Sequence, residues 1–385
     1  MTVGLDTTAG STKPRRMTLP RAARLASVMF LAVLPVLTIF VLFASALDSD
    51  SVAIDFWQFY RAAETILDGN TPYLPAGEPL TAWGGPYPYP PLPALVAIPF
   101  TALPLQTAGL VVMAMLIVVA LAIPFVLDVR DWRCYVILLV WPPVVSAIQT
   151  GNVTLWFGLA AALTWRYRDR LFPVAASIGI TLAAKFFLWP LVVWLAFTRR
   201  VLAAAAALVV GTVVLLLSWA VIGFSGFLDY PELLRKLEHT VGGDSYTAYI
   251  VGLDLGLPSS VSRALWVGIG LAVLSAVVVI ARRGDERTAF IVAIAASLAL
   301  TPIVWLHYFA LLLVGVALAR PRLGLLWFVP FGMFLTPGSG QPTPFQTSWT
   351  LLVALATFAL AIHASRAAFS EAARRTELPA APATV

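Results

Sequence analysis

Two charged residues stand out in a chain that is otherwise strongly apolar. Asp55 lies between Ile54 and Phe56, eight residues after the first long apolar segment. A carboxylate there could take a proton from an acceptor hydroxyl, although residue type alone favours an ordinary solvated acid in an acidic loop. Lys185 lies inside an apolar stretch. Its ammonium could bind a phosphate or pyrophosphate, or it could extend to the membrane surface from a helix end.

A histidine and two amides are the other candidates. His307 lies between two apolar segments, with Pro302 and several aromatic residues close by. It could bind a phosphate or orient a base, or it could simply cap a helix end. Gln149 and Asn152 flank Thr150 and Gly151. Their amides could bind sugar hydroxyls, but Gly-Asn is also an ordinary turn.

The composition requires lipid as the solvent for most of the chain. Of 385 residues, 60% are hydrophobic and 11% are charged, and the mean hydropathy is +0.89. A soluble domain carries roughly 25% charged residues. The single cysteine, Cys134, excludes an internal disulfide, and with three histidines it makes a structural zinc site a poor candidate. The net charge of +6 is spread as short basic loops, so no nucleic-acid partner is expected.

The apolar segments predict an all-α polytopic membrane protein with about twelve transmembrane segments. The first, 25–47, is long enough to cross about 30 Å of hydrocarbon and exceeds the apolar region of a signal peptide. The others lie at 107–127, 134–148, 153–165, 172–184, 186–198, 201–223, 259–281, 288–303, 304–319, 323–335 and 347–365. We expect a disordered cytoplasmic tail at 1–24, a transmembrane domain at 25–366 and a second cytoplasmic tail at 367–385.

Charge asymmetry predicts the orientation in the plasma (inner) membrane. The polar places assigned to the cytoplasm hold 20 of the 25 Lys and Arg residues, and the opposite face holds four, together with eleven acids. Those cytoplasmic places are the N-terminus, 128–133, 166–170, 199–200, 282–287, 320–322 and the C-terminus. Both termini are therefore predicted to be cytoplasmic, and Asp55 is predicted to face the outside or periplasm.

The first outer loop, 48–92, contains two features with structural consequences. Asp55–Glu64 has the pattern of an amphipathic helix lying at the membrane interface. The segment Tyr87–Pro93 holds too many prolines for a regular helix.

Taken in order, these residues form a pattern that covers roughly residues 50 to 310. Its members are Asp55, Phe59-Tyr60, Ala63, Gly69, Pro72-Tyr73, Tyr89-Pro90-Pro91-Leu92, Gln149, Gly151-Asn152, Lys185, Pro190, Pro302, Trp305 and His307-Tyr308. The pattern resembles the polyprenyl-phosphate-dependent glycosyltransferases of family 87, a GT-C type membrane group. The stretch from the aspartate to Tyr-Pro-Pro-Leu is its most specific part. Phe186-Phe187 separates the lysine from its proline more widely than the family pattern.

The resemblance implies a function and a set of site residues. The donor would be a polyprenyl-monophosphate sugar and the acceptor a lipid-linked glycan of the phosphatidylinositol mannoside or lipomannan type. The sugar would be mannose, with arabinofuranose as the alternative. Asp55 would be the base of an inverting displacement that needs no metal and no cofactor. From the chemistry of the residues themselves, the candidates to stabilise the departing phosphate are Arg61, Lys185, Arg263 and His307. The candidates to bind sugar are Tyr60, Tyr73, Tyr89, Gln149 and Asn152, although an aromatic belt at the membrane interface would explain the tyrosines equally well.

Two other classes of protein remain open from the sequence. A lipid-sugar transporter or flippase would explain the many short segments interrupted by proline, but it predicts more ionisable residues at membrane depth than Lys185. A non-catalytic scaffold of the envelope would have no need to hold Asp55 and His307 at one place.

Overall fold

A computed structural model describes residues 21–48, 52–74, 87–337 and 341–377, and all regular structure in these ranges is helical. The α-helices are α1 (Arg21–Leu47), α2 (Ile54–Leu67), α3 (Pro91–Ala97), α4 (Leu105–Val126), α5 (Trp132–Leu138), α6 (Pro142–Thr150), α7 (Thr154–Arg166), α8 (Leu171–Ala184), α9 (Pro190–Phe197), α10 (Val201–Val221), α11 (Tyr230–Val241), α12 (Ala248–Asp254), α13 (Ser259–Arg282), α14 (Glu286–Ala299), α15 (Leu312–Ala319) and α16 (Pro344–Glu377). The 3-10 helices are Ile98–Ala102, Gly242–Asp244, Leu306–Leu311 and Leu325–Leu335.

The membrane-protein class is confirmed by the length and composition of these helices. Within the described residues, α4, α10, α13 and α16 are each long and apolar enough to cross a membrane. Helices α5 and α6 meet at a 62° bend and would make a fifth span if counted together. Each predicted apolar segment contains helix, but many of these helices are short, and the total of about twelve spans stays a prediction.

The predicted N-terminal tail differs from the structure at its inner end. Helix α1 begins at Arg21, so residues 21–24 belong to a helix and not to a disordered tail. Alanine and arginine are good helix formers, which allows the helix to continue past the apolar run. Helix α16 continues to Glu377, and the cytoplasmic location of 367–385 stays a prediction. Residues 1–20 and 378–385 lie outside the described residues.

Prolines mark the places where the short helices begin. Pro142 and Pro190 occupy the first turns of α6 and α9, where the amide group that proline lacks would have no intrahelical partner. The same rule corrects the prediction for Tyr87–Pro93. Helix α3 begins at Pro91 and accommodates Pro93 in its first turn, so the non-helical part ends at Pro90.

The centre of the fold is α15 together with the 3-10 helix that precedes it. Every residue of Leu312–Ala319 is buried, as expected for a helix that is apolar on all sides. It contacts α4, α7, α14 and α16. The 3-10 helix Leu306–Leu311 is also fully buried and packs against α6 and α7. This packing brings His307 to the end of α6.

Helix α2 is the predicted amphipathic helix of the first outer loop. It packs on α3, α4, α6 and the 3-10 helix Ile98–Ala102. Its buried side chains are Phe56, Phe59, Tyr60, Ala62 and Ala63. This apolar face fixes the helix against the protein, and its position at the membrane interface stays a prediction.

The polar segment 224–258 contains helices that its sequence did not indicate. Helix α11 is joined to the first loop by the Tyr230 hydroxyl, which donates to the Pro88 carbonyl at 2.9 Å. Tyr73 stacks on Trp219 with ring centroids 4.8 Å apart. The start of α12 is linked to the His307 segment, because the Val304 amide donates to the Ser245 hydroxyl at 2.8 Å.

Arginines join the helices at the end of the molecule that carries the basic loops. Arg200, before α10, donates to Glu286 at 2.9 and 3.0 Å and to Asp169 at 2.6 and 3.0 Å. Arg166 pairs with Asp128. These pairs connect the turns that follow α4, α7 and α9 to the start of α14.

Asp131 makes a similar connection at the start of α5. Its carboxylate accepts two hydrogen bonds from the Arg133 guanidinium, at 2.7 and 2.9 Å, and one from the Leu323 amide at 3.0 Å. The hydrogen bonds from Arg133 lower the pKa of Asp131 from 3.8 to about 2, despite its partial burial. The carboxylate is therefore charged throughout the physiological pH range.

Candidate active site

The turn between α6 and α7 brings the start of α2 to the end of α6. Gly151 ends α6 with φ +69°, a left-handed conformation that glycine adopts without strain. A Cβ atom there would lie 2.8 Å from the Cβ atoms of both Ala53 and Phe56. The glycine thus permits a contact that a larger residue would block. Ala53, which precedes α2, is itself left-handed with φ 53°.

This close approach places Asp55 against Asn152. The Asn152 side-chain amide donates to Asp55 Oδ2 at 2.8 Å. Asn152 is fully buried, whereas the Asp55 side chain is 13% exposed. The amide oxygen of Asn152 accepts from the main-chain amide of Thr154 at 2.9 Å and from the Thr154 hydroxyl at 2.5 Å. The carboxylate therefore has a fixed neighbour on one side and retains access on another.

His307 faces the same carboxylate oxygen. Its Nε2 lies 3.8 Å from Asp55 Oδ2, which is too long for a hydrogen bond. Nε2 is buried and has no hydrogen-bond partner among the described residues. The imidazole packs edge-on against the Tyr308 ring at 4.7 Å and the Trp305 ring at 5.8 Å. A buried nitrogen without a partner is costly in a finished structure, and a ligand bound at the Asp55 carboxylate could supply the missing partner.

Lys185 also contacts Tyr308. Its ammonium contacts the Tyr308 hydroxyl. It also lies 4.3 Å from the Tyr308 ring centroid, 5.1 Å from that of Tyr89 and 5.9 Å from that of Phe187. Helix α8 ends at Ala184, so Lys185 leaves the helix and enters this aromatic cage. The cage contains no carboxylate partner for the ammonium among the described residues, and an anion could occupy that role.

Tyr89 connects the lysine to the acid. Burial raises the pKa of its phenol well above the usual value, and the Tyr308 phenol and the Asp55 carboxylate raise it further. The hydroxyl therefore stays protonated and can donate a hydrogen bond. Its main-chain carbonyl accepts from the Tyr73 hydroxyl at 2.8 Å, which holds the segment before α3 in place.

Five of the residues predicted from sequence thus come together: Asp55, Tyr89, Asn152, Lys185 and His307. Tyr60 and Tyr73 have a different environment. Both are buried, and their hydroxyls donate to main-chain carbonyls, Tyr60 to Leu103 and Tyr73 to Tyr89. These contacts give them a packing role, and sugar binding by them stays a prediction.

The three remaining candidates have exposed side chains. Arg61 is 62% exposed, pairs with Glu64 at 3.5 Å and lies over the Trp57 ring at 5.5 Å. Gln149 is exposed on the last turn of α6. Arg263, on α13, lies over the Tyr249 ring at 5.5 Å. None of these contacts involves the Asp55 cluster, and their binding roles stay predictions.

Two residues of the cluster were not singled out from sequence. Tyr308 lies within the family pattern next to His307, but its contact with Lys185 joins residues 123 positions apart. Thr154 follows Asn152 by two positions. An asparagine side chain often forms a hydrogen bond with the backbone two residues later, so this spacing could have identified Thr154 from the sequence.

The cluster can support proton transfer beside a bound anion. It combines one partly exposed carboxylate, a buried imidazole and an ammonium held by aromatic rings. A carboxylate can remove a proton from a hydroxyl, and the ammonium and imidazole can stabilise negative charge that develops on a leaving group.

Comparison with protein families gives one match. A model of glycosyltransferase family 87 matches residues 87–305, which is more than half of the chain. The matched range includes Tyr89, Asn152 and Lys185, starts after Asp55 and ends two residues before His307. No curated protein and no solved structure matches the chain.

Proposed function

The chain belongs to glycosyltransferase family 87, and from this we propose that it is a membrane glycosyltransferase in which Asp55 is the catalytic base. The donor in this proposal is a polyprenyl-monophosphate sugar, with mannose as the sugar. The acceptor is a lipid-linked glycan at the outer face. The observation that carries the proposal is the Asp55 carboxylate held by Asn152 at 2.8 Å, with His307 at 3.8 Å.

The reaction follows from the charges at the site. Asp55 removes the proton of an acceptor hydroxyl, and that oxygen forms a bond to the anomeric carbon from the face opposite the phosphate. The bond from the anomeric carbon to the phosphate oxygen breaks, and polyprenyl phosphate leaves with the electron pair. Phosphate is a good leaving group, so one carboxylate suffices for an inverting displacement. Lys185 and His307 stabilise the departing phosphate.

The arrangement of α7 and α8 supports an outward-facing site. Both helices connect the basic loop at 166–170 to the cluster, because α7 starts after Asn152 and α8 ends before Lys185. At 1.5 Å per residue each helix is about 20 Å long. The cluster and the basic loop are therefore at opposite ends of these helices. Basic loops lie in the cytoplasm, and this supports our proposal that the cluster faces the outer side of the membrane.

The geometry also bears on the two competing classes. A scaffold has no need to hold Asp55 and His307 together, yet the two side chains are 3.8 Å apart. A transporter predicts a path of ionisable residues, whereas Lys185 makes its described contacts within one aromatic cage. Both observations favour an enzyme. Transport of a lipid-linked sugar in vesicles without transfer to an acceptor would instead support the transporter.

The proposal is tested by Asp55→Asn, assayed in membranes with a radiolabelled polyprenyl-phosphate mannose donor. Asparagine keeps the size of the side chain and removes the base, so transfer should fall by about a hundredfold or more. Asp68→Asn is the matched control, because Asp68 is exposed at the other end of α2. Wild-type transfer by Asp55→Asn would rule out the assigned base. Offering polyprenyl-phosphate arabinofuranose in parallel tests the choice of sugar.

A further inference from the structure

Thr154 makes two hydrogen bonds to one atom of the site. Its main-chain amide and its hydroxyl both donate to the amide oxygen of Asn152, at 2.9 and 2.5 Å. Both residues are completely buried. The other end of the same amide donates to Asp55 Oδ2. Thr154 is therefore linked to Asp55 only through Asn152. Because Thr154 is buried, it is shielded from any substrate that reaches Asp55.

The two bonds fix the direction of the Asn152 amide. An amide group has nearly the same shape in its two orientations, and only its hydrogen-bond partners distinguish them. The Thr154 main-chain amide can only donate, so it requires the oxygen of Asn152 on its side. The amino group must then point at Asp55. In the reverse orientation two oxygens would face each other across the 2.8 Å contact.

The hydroxyl adds rigidity and polarisation to this arrangement. A side-chain amide held by one hydrogen bond can still rotate about that bond, whereas two hydrogen bonds to the same oxygen hold the Asn152 amide in place. Hydrogen bonds in series also strengthen one another, because each polarises the next group. The chain from the Thr154 hydroxyl through Asn152 to Asp55 is such a series.

We propose that Thr154 is a positioning residue for the Asp55 carboxylate and acts through Asn152. This inference rests on the proposed function, since it requires Asp55 to be the base. Thr154 does not contact substrate. Its loss should therefore reduce the rate of the chemical step and leave the binding of donor almost unchanged.

Two substitutions separate the hydroxyl from the methyl group. Thr154→Val keeps the shape and removes the hydroxyl, and its kcat is expected to fall by about ten- to a hundredfold, as for a misplaced catalytic group. KM for the donor should stay within about twofold of wild type. Thr154→Ser keeps the hydroxyl and should restore kcat to near the wild-type value.

Thr164→Val is the matched control. Thr164 is equally buried on the same helix, and its hydroxyl donates only to the Ala160 carbonyl one turn away. Loss of that bond should leave kcat unchanged. All variants are purified as the full chain, and melting temperatures in detergent establish that each is folded. Thr154→Ser provides the test by itself if Thr154→Val does not fold.

The outcomes distinguish this inference from the proposed function. Wild-type kcat in folded Thr154→Val, or a low kcat in folded Thr154→Ser, would overturn the positioning role of Thr154. If Asp55→Asn is inactive in the same assays, the proposed function still holds. A raised KM with unchanged kcat in Thr154→Val would make Thr154 a binding residue and would also overturn it. Full activity of Asp55→Asn would remove the premise of both.

Discussion

Gly151 offers a quantitative test of how the site is assembled. In Gly151→Ala the new Cβ would lie 2.8 Å from two carbon atoms at the start of α2, and the residue would keep a φ of +69°. A left-handed alanine costs about 1–2 kcal/mol. Extra volume in a packed contact costs about 1–3 kcal/mol. The total destabilisation is therefore about 2–5 kcal/mol, and part of it is relieved by moving α2 away.

Gly69→Ala is the control that separates these two effects. Gly69 follows the other end of α2 with φ +76°, and an added Cβ would have no atom within 4 Å. It should show the conformational cost of about 1–2 kcal/mol alone. The difference between the variants, measured as melting temperature in detergent, reports the close contact between α6 and α2.

The same pair of variants should differ more in activity than in stability. A shift of α2 moves Asp55 relative to Asn152, and a displacement of about 1 Å can slow catalysis a hundredfold. Gly69→Ala leaves that contact intact and should transfer sugar at the wild-type rate. Equal stability and equal activity of Gly151→Ala and Gly69→Ala would refute the close contact between α6 and α2.

Three further predictions concern the rest of the cluster and the basic end of the molecule. Lys185→Met should slow transfer by about a hundredfold because it removes the ammonium that stabilises the departing phosphate, and Tyr308→Phe should have a smaller effect; equal rates in both would contradict the assigned role. The stability that Asp131 contributes is present above its unfolded pKa of 3.8 and is lost as pH falls towards its folded value of about 2. Asp131→Asn should therefore flatten the melting-temperature profile between these pH values, and an unchanged profile would count against that ion pair. Arg200→Gln should destabilise by about 1–3 kcal/mol, since Arg200 is 16% exposed and binds two carboxylates, whereas the exposed Arg166→Gln should cost less than about 1 kcal/mol.

The helices of this fold were largely predictable because each apolar run must satisfy its own backbone in lipid. Helices α4, α10 and α13 begin and end within about two residues of the predicted segments. The helices of the segment 224–258 were missed, since α11 is polar and amphipathic and lacks the length of a span. The break between α5 and α6 falls at Pro142, the first residue of α6, but the local sequence does not give its angle of 62°.

Half of the ten candidate site residues come together in the structure, but the contacts between them were not predictable. The family pattern brought Asp55, Asn152, Lys185 and His307 together, although 97 residues separate Asp55 from Asn152. Sequence alone gave Gly151 as an ordinary turn residue, whereas its role depends on a helix from another part of the chain. Aromatic residues were the least predictable. The sequence around Tyr60 does not distinguish a tyrosine that binds a sugar from one whose hydroxyl donates to the Leu103 carbonyl.

The most direct test of the base assignment is a structure with a non-transferable donor analogue and an acceptor bound. The acceptor hydroxyl should lie about 2.6–3.2 Å from an oxygen of Asp55. The donor phosphate should contact Lys185 and His307, and its lipid chain should leave towards the outer leaflet. An acceptor hydroxyl bound against another acid, or a donor phosphate on the side of the basic loops, would contradict the account.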